Sequence, residues 1–258
     1  MSEVNLVCPT CGKKKLYVNK EKGVYNCYVC AKGGQYAHLP KRIKDLVSFR
    51  SGDYTVEDIQ FPAKTFSVII PFDTVIITQH DLSMKYLYDR KIRPREGWLF
   101  CFNGKYVNRI IMPVIFKKVV VGFQARTIVD AEPKYLNSTG FPKAAVIYDY
   151  DRHDWESSVT LCEGIFDSLA FDNGVASFSK ALSNAQAGLL AEKFDEITLC
   201  YDKDAEEANE LAGWRLFKYG MSNVKVLELD RGDPAEHTRE QLASFPRYRF
   251  LDWVARRR

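Results

Sequence analysis

Four cysteines near the start of the chain have the spacing of a metal site. Cys8 and Cys11 form one C-x-x-C pair, Cys27 and Cys30 form a second, and 15 residues separate the pairs. Each pair can place two thiolates on one tetrahedral ion, and the intervening residues suffice for two short strands joined by a turn at Gly23. The pattern predicts a zinc ribbon with one structural Zn²⁺, whose folding free energy comes mainly from the metal. Structural cysteines without a metal are the alternative.

A second set of residues that could take part in chemistry consists of carboxylates that follow apolar segments. Glu163 directly follows the apolar run 159–162, Asp202 and Asp204 follow 197–201, and Asp233 lies just past the last such run. One aspartate in such a place can simply cap the next helix, and all four could be unrelated acids at helix starts. A cluster of carboxylates is costly unless a cation neutralises it, and Mg²⁺ at phosphates is usually held in this way. The pattern therefore indicates a divalent-metal site.

The elements that would position these carboxylates alternate between strand and helix from residue 158 onward. Four apolar runs, near 158–162, 174–180, 196–202 and 223–229, are separated by segments with helical patterning. Such alternation predicts parallel strands with crossover helices, the α/β class, and ligands then bind beyond the carboxyl ends of the strands. The four acidic residues would therefore meet at one edge of one sheet.

The rest of the chain divides into further predicted units, so that the whole is α+β. A hairpin of two strands is expected within 108–128, a helix opened by Asp81, and strands at 66–72 and 74–80. The tail ends in a basic segment around Leu251 and Trp253 that could be a docking helix or a frayed terminus, the latter being favoured. The predicted units are a ribbon at 1–45, a linker at 46–65, a core subdomain at 66–157, a parallel-sheet domain at 158–240 and a tail at 241–258.

Composition narrows the function classes without selecting one. The chain has 258 residues, a formal net charge of +4 and a pI near 8.6, which permits an anionic partner without requiring one. No apolar run approaches membrane-spanning length, and the first residues lack a secretory pattern. A cytoplasmic protein without a membrane partner is expected. In that compartment cysteines serve as metal ligands or core residues more often than as disulfides.

The motifs and their order resemble the DnaG-type primases of bacteria and phages, over nearly the whole chain. Glu followed far downstream by D-x-D, each after an apolar strand, is similar to the pattern of the TOPRIM fold. The segments that carry the likeness are "RIIMPV", "VVVGFQARTI", "PKYLNSTGFPKAAVIYD", "LCEGIFDSLA" with Glu163 and Asp167, "LCYDKDAEEA" and "RGDPAEH". No P-loop motif occurs, so the likeness is to a stand-alone phage primase or to the primase half of a fused phage enzyme.

The resemblance implies a fold, an activity and a set of site residues. The fold would be a zinc ribbon followed by a primase catalytic core that contains a TOPRIM domain, with residues 66–157 as the N-terminal subdomain of the RNA polymerase core. The activity would be template-directed synthesis of short RNA primers on single-stranded DNA, from ribonucleoside triphosphates, for DNA replication in a bacterial or phage-infected cytosol. A replicative helicase and a single-strand binding protein would be partners.

The same resemblance assigns roles to individual residues. Glu163, Asp202 and Asp204 would be catalytic and hold two or more Mg²⁺ or Mn²⁺ ions, with Asp233 in support. The ribbon would read a short template sequence. The residues that would contact nucleotide phosphates and template are Arg109, Arg126, Lys134, Asn137 and Lys143.

Two departures from the family pattern leave the proposed ligands untouched. Glu206 and Glu207 stand where the family often has Ala-Gly, and Ser179 and Lys180 stand where it commonly has Gly-Thr. Lys180 could add a phosphate contact.

Two other functions fit parts of the sequence. A TOPRIM nuclease would use the same carboxylates to direct water at a phosphodiester, although it has no evident use for the segment "KYLNS". A non-catalytic recombination mediator would bind DNA through the zinc module and the TOPRIM domain, and it would not need the complete acidic set.

Overall fold

Three β-sheets account for the strands in the described part of this computed structural model. The structure describes residues 3–6, 8, 10–11, 13, 15–19, 21–39, 70–71, 73–153 and 157–257. The linker predicted at 46–65 and most of the strand predicted at 66–72 lie outside these residues. The strands are β1 Glu3–Leu6, β2 Leu16–Asn19, β3 Val24–Cys27, β4 Gly33–Gln35, β5 Thr74–Ile76, β6 Leu99–Cys101, β7 Arg109–Phe116, β8 Val119–Thr127, β9 Tyr135–Asn137, β10 Ser158–Cys162, β11 Gly174–Ala176, β12 Glu196–Leu199, β13 Val224–Leu227 and β14 Arg247–Arg249.

The helices lie mainly in the second half of the chain. None in the described part is both long and apolar enough to span a membrane. The α-helices are α1 Asp81–Asp89, α2 Ile165–Ser168, α3 Asn184–Lys193, α4 Glu206–Lys218, α5 Arg239–Ser244 and α6 Phe250–Ala255.

The first sheet is a small antiparallel ribbon formed by β1, β2, β3 and β4 in chain order. The hairpin predicted between the two cysteine pairs is present as β2 and β3. Gly23 in its turn has a φ of +67°, a left-handed conformation that favours glycine. Few apolar side chains lie beneath this sheet, so it has little core beyond its sulfur atoms. Its buried residues are Leu6, Cys8, Leu16, Val18, Cys27 and Leu39.

The second sheet, β5 to β9, is also antiparallel and follows chain order. The predicted hairpin is confirmed as β7 and β8. Lys117 and Lys118 at its tip have φ values of +51° and +64°, as a two-residue turn between twisted strands requires. The strand predicted at 74–80 is shorter than expected, because a 3₁₀ turn replaces it from Ile77 onward. Helix α1 begins at Asp81, as predicted.

The third sheet carries the parallel strands predicted from residue 158 onward. Its strand order is β11-β10-β12-β13-β14, and the first four strands are parallel. After β10 the chain adds β11 on one side and then crosses to add β12 on the other. The strand order therefore reverses between β10 and β12, the position at which open α/β sheets form a ligand-binding crevice beyond the carboxyl ends of their strands.

The C-terminal tail is ordered, so the expectation of a frayed, solvated terminus was wrong. Strand β14 adds to β13 in antiparallel register, pairing Val226 with Tyr248. Helix α6 then returns to the sheet and buries Phe250 and Trp253, which are 1% and 3% exposed. Phe250 packs against Gly213 of α4, where an added Cβ would lie 2.1 Å from its ring. Phe250 and Trp253 anchor the tail to the core, although the run of arginines after them suggested a solvated end.

One apolar core joins the second and third sheets. Trp98, just before β6, stacks on Phe166 of α2 with 6.1 Å between ring centroids. Phe116 of β7 contacts Tyr150, which in turn meets Phe194 at the end of α3. The antiparallel sheet therefore supports the α/β layer, and the short helix α2 beside Glu163 is held from both sides.

Candidate metal centres and nucleotide site

The four cysteines predicted as ligands come together in the ribbon. Their sulfur atoms all lie within 4.8 Å of one another. The Sγ atoms of Cys8 and Cys30 are 3.6 Å apart, and those of Cys11 and Cys27 are 3.7 Å apart. Zinc–sulfur bonds of about 2.3 Å in a tetrahedron place ligand sulfurs about 3.8 Å apart. The cysteine cluster thus has the dimensions of a four-thiolate metal site.

Backbone hydrogen bonds favour the thiolate form of Cys8 and Cys27, whereas the pKa of Cys30 is raised to about 11, with burial and the neighbouring sulfur atoms as the raising causes. The N–H of Cys27 donates to the carbonyl of Lys32 over 2.9 Å, and that of Cys8 donates to the carbonyl of Lys13 over the same distance, so each pair sits in a tight loop. The backbone N–H of Cys30 donates to the sulfur of Cys27 and lowers the pKa of that thiol to about 6. A thiol with a low pKa gives up its proton readily to a metal.

The predicted acidic residues all lie at the carboxyl-terminal edge of the third sheet. Glu163 is the first residue after β10, and Asp202 is the third residue after β12. Leu161 pairs with Leu199 across these strands, so the two carboxylates flank the crevice where the strand order reverses. Parallel pairing therefore accounts for their common position.

Burial and mutual repulsion both raise the pKa values of carboxyl groups at this acidic edge. Burial is the largest cause that raises the pKa of Glu163, and the charges of Asp202 and Asp204 raise it further. Burial also raises the pKa of Asp202, with the charge of Asp233 as the next cause. One carboxylate oxygen of Glu163, Oε2, is buried without a hydrogen-bond partner. A divalent cation would satisfy this oxygen and relieve the repulsion, so the donor set fits one.

Asp204 and Asp233 occupy the rim of the edge. Asp204 has a side chain that is 81% exposed, and its Oδ1 lies 3.6 Å from Nζ of Lys180. Asp233 caps a 3₁₀ turn by accepting from the N–H of Glu236 over 3.1 Å. In the described part of the chain, no three carboxylates bring one oxygen each within 4.8 Å of one another, as the cysteines do. The acidic residues line one edge but are more widely spaced than the sulfur ligands.

Asp167 belongs to this edge, although the predicted site did not include it. Its Oδ2 accepts from the N–H of Gly164 over 3.1 Å, which closes the start of α2. Burial raises the pKa of Asp167 to about 8, and the charges of Asp233 and Asp202 add to the effect. The signal for it was available, since Asp167 is the last residue of the Glu-Gly-x-x-Asp motif.

The two arginines predicted as nucleotide contacts lie within the second sheet. Arg109 is 5% exposed, and its Nη1 donates to the carbonyl of Lys134 over 3.1 Å. Arg126 donates from Nε to the hydroxyl of Tyr86 over 3.0 Å, and its guanidinium lies 4.7 Å from the ring centroid of Tyr135. Arg109 therefore ties β7 to the segment before β9, and Arg126 ties β8 to α1 and β9, while both carry positive charge.

The other three predicted contacts lie nearer the surface. Lys134 and Lys143 are exposed. Asn137 is half-buried at the end of β9, where its Oδ1 accepts from Nε2 of Gln124 over 3.2 Å.

The fold consists of a four-cysteine ribbon followed by a mixed α/β core with a parallel sheet and an acidic edge. The fold is shared with solved primase structures. The Aquifex aeolicus primase, comprising zinc-binding and RNA polymerase domains, matches with a TM-score of 0.57 at 20% identity, over 99% of this chain and 82% of that one. The DnaG primase catalytic domain bound to single-stranded DNA matches with a TM-score of 0.53 at 18% identity, over 69% and 77% of the two chains.

Sequence comparison points to the same proteins. The chain is 31% identical over 150 residues to the DNA primase of Clostridium acetobutylicum, covering 53% of this chain and 25% of that protein. It is 31% identical over 180 residues to the DNA primase of Staphylococcus aureus strain COL, covering 61% and 30% respectively. The chain thus spans between a quarter and a third of the length of these curated relatives. No protein-family model matches the sequence. In sequence and in fold, the chain resembles DnaG-type primases.

Proposed function

We propose that this protein is a DNA primase, a DNA-directed RNA polymerase that makes short RNA primers on single-stranded DNA from ribonucleoside triphosphates. The observation that carries the proposal is the acidic edge, where Glu163 and Asp202 flank the crevice between β10 and β12. Similarity to DNA primases in sequence, and to a primase domain bound to single-stranded DNA in fold, supports the choice of substrate. Such a protein would act in the cytosol of a bacterium or of a phage-infected cell, beside a replicative helicase and a single-strand binding protein.

The reaction joins two ribonucleotides. The 3′-hydroxyl of one attacks the α-phosphate of the next, a phosphorus–oxygen bond forms, and pyrophosphate leaves. Divalent ions such as Mg²⁺ or Mn²⁺, when bound, stabilise the attacking and leaving oxygens of such an in-line displacement. Glu163, Asp202 and Asp204 would hold two or more of these ions, and Asp233 would support them. The four cysteines would hold one structural Zn²⁺, as their tetrahedral spacing supports.

The basic residues would divide the remaining work. Lys134 and Lys143, which are exposed, would meet nucleotide and template phosphates and offset the charge that develops on them. Asn137 would hydrogen-bond nearby. Arg109 and Arg126 would contact the nucleic acid through the accessible part of their guanidinium groups, while Arg109 holds the backbone at Lys134 and Arg126 packs on Tyr135 of β9.

Within the predicted units, the ribbon at 1–45 would read the template, residues 66–157 and 158–240 would together form the catalytic core, and 241–258 would complete it. Strand β14 and helix α6 support the last assignment, because they cover the edge of the parallel sheet.

A primer-synthesis assay tests the proposal. We expect the wild type to make short labelled RNA from four ribonucleoside triphosphates on random-sequence single-stranded DNA with Mg²⁺, and Asp202→Ala to make none, because the variant loses a metal ligand. Zinc content and circular dichroism of the variant check that it is folded. Nicked or degraded DNA without added ribonucleotides would instead indicate a TOPRIM nuclease. DNA binding with neither activity would indicate a non-catalytic mediator, and full activity of the variant would refute the metal assignment.

A further inference from the structure

Lys180 lies at the acidic edge on a loop that is tied directly to the strand before Glu163. The loop follows β11, and both the N–H and the hydroxyl of Ser177 donate to the carbonyl of Cys162, over 3.1 and 3.3 Å. Nε2 of Gln186 lies 2.9 Å from the carbonyl of Ser177 and holds the loop from the other side. The start of this loop is therefore fixed relative to Glu163.

The next residue of the loop is anchored by packing. Phe178 is 8% exposed and meets Phe141 edge to face, with 5.0 Å between ring centroids. Its φ of +64° is a left-handed conformation that a phenylalanine adopts only where its surroundings impose it. The chain turns at Phe178, and Lys180 follows two residues later.

The ammonium group of Lys180 is a cation among carboxylates. Its Nζ lies 3.6 Å from Oδ1 of Asp204, and the two side chains are 52% and 81% exposed. Its charge also acts on Glu163 and Asp202, lowering the pKa of both against the stronger effect of their burial. Lys180 therefore lies beside a carboxylate to which the proposed function assigns a divalent ion.

We propose that Lys180 is an internal counter-cation that pairs with Asp204 before substrate binds and then moves to the triphosphate of the incoming ribonucleotide. This inference rests on the proposed function, since it assumes a metal and a nucleotide at the acidic edge.

The physical reason for the transfer is charge balance. A divalent ion beside Asp204 repels the ammonium group and displaces it from its carboxylate. An exposed ion pair contributes little to stability, so it opens readily. The triphosphate brings new negative charge to the same place, and a lysine is well suited to bind phosphate as a flexible point charge.

Mn²⁺ binding in the absence of nucleotide tests the first half of the proposal. With the cysteines loaded with zinc, we expect Lys180→Met to bind Mn²⁺ about threefold more tightly than wild type, the size of effect typical of an exposed ion pair. Electron paramagnetic resonance of unbound Mn²⁺ gives the affinity. Lys203→Met is the matched control, because Lys203 lies between Asp202 and Asp204 but its Nζ pairs with Glu228 at 3.5 Å. The control should bind Mn²⁺ as wild type does.

Nucleotide binding tests the second half. With Mn²⁺ present, calorimetry with ATP should show Lys180→Met binding about tenfold more weakly, as expected for loss of one charge-assisted hydrogen bond. Adenosine monophosphate should be affected less, because it lacks the outer phosphates. Lys180→Arg keeps the charge and should stay close to wild type in both measurements, which separates loss of charge from loss of folding.

The outcomes separate this inference from the function beneath it. If Lys180→Met changes neither affinity, or only one of the two, while Asp202→Ala abolishes Mn²⁺ binding, the transfer is refuted and the metal site stands. If zinc-loaded wild type binds no Mn²⁺, the acidic site and the role of Lys180 fall together.

Discussion

At the scale of single residues, the acidic edge concentrates negative charge that the fold itself leaves largely uncompensated. Burial makes the charged forms of Glu163 and Asp202 unfavourable, and the charges of neighbouring carboxylates add to this effect. Such an arrangement is costly in the absence of a counter-ion and becomes favourable when one binds. The Oε2 atom of Glu163 is buried without a hydrogen-bond partner in the fold, and a bound cation would satisfy it.

Asp167 gives this cost a measurable pH dependence. Burial raises its pKa to about 8 in the folded protein, from an ordinary value of 3.8. Between these values the unfolded chain releases the proton while the folded chain keeps it, so the stability of the wild type should fall as pH rises from about 5 to about 8. Asp167→Asn cannot ionise and should lose this slope, gaining on the order of a few kcal/mol over wild type near pH 8.

Denaturant unfolding at several pH values without added Mg²⁺ or Mn²⁺ would measure the difference. The Gly164 N–H can still donate to the asparagine oxygen, so the start of α2 should survive the change. Asp172→Asn, at an exposed carboxylate 85% accessible, is the control and should keep the wild-type slope. Equal pH dependence in wild type and Asp167→Asn would contradict the raised pKa.

At the scale of elements, sequence patterns predicted the parts whose physics is local or periodic. The alternation after residue 158 predicted β10, β12 and their crossover helices, because parallel strands need such connections. The cysteine spacing predicted the sulfur cluster, since tetrahedral coordination fixes the geometry. Each prediction depended on one constraint, either the alternation of apolar runs with helical segments or the spacing of the cysteines, that can be read directly from the sequence.

Other features depended on contacts between distant segments, which no local pattern reveals. Arg109 is buried, and its guanidinium donates to the carbonyl of Lys134, 25 residues away. The tail is ordered because Phe250 packs over Gly213, a contact that the basic composition of the tail did not indicate. The wide spacing of the acidic side chains likewise depends on loop geometry beyond the strand ends.

The tail supplies a prediction at this scale. Phe250→Ala should lower the free energy of unfolding by about 3–5 kcal/mol, because it removes a fully buried ring from the packing of Trp214 and Phe217. Leu251→Ala is the matched control one residue away, at a side chain 48% exposed, and should change stability by about 0.5 kcal/mol or less. Urea denaturation measures both. Equal stability of the two variants would mean that the tail is not part of the core.

At the scale of the whole molecule, the proposed primase would divide one reaction between two metal centres of different chemistry. Sulfur ligands suit a structural ion, and carboxylates suit ions that stay hydrated and exchangeable at phosphates. The ribbon, with its small core, should depend on its metal for folding, while the two larger sheets share a core of their own. Loss of the zinc site should therefore impair initiation more than extension, whereas loss of the acidic site should abolish both.

The most direct test of this central claim compares initiation with extension on one single-stranded DNA template. Labelled dinucleotide formation and elongation of a preformed RNA primer would be measured for wild type, Cys27→Ser and Asp202→Ala, with Mg²⁺ and four ribonucleoside triphosphates. We expect wild type to perform both reactions, Cys27→Ser to lose initiation far more than extension, and Asp202→Ala to lose both. RNA synthesis by Asp202→Ala at the wild-type rate, or equal loss of both reactions in Cys27→Ser, would contradict the account.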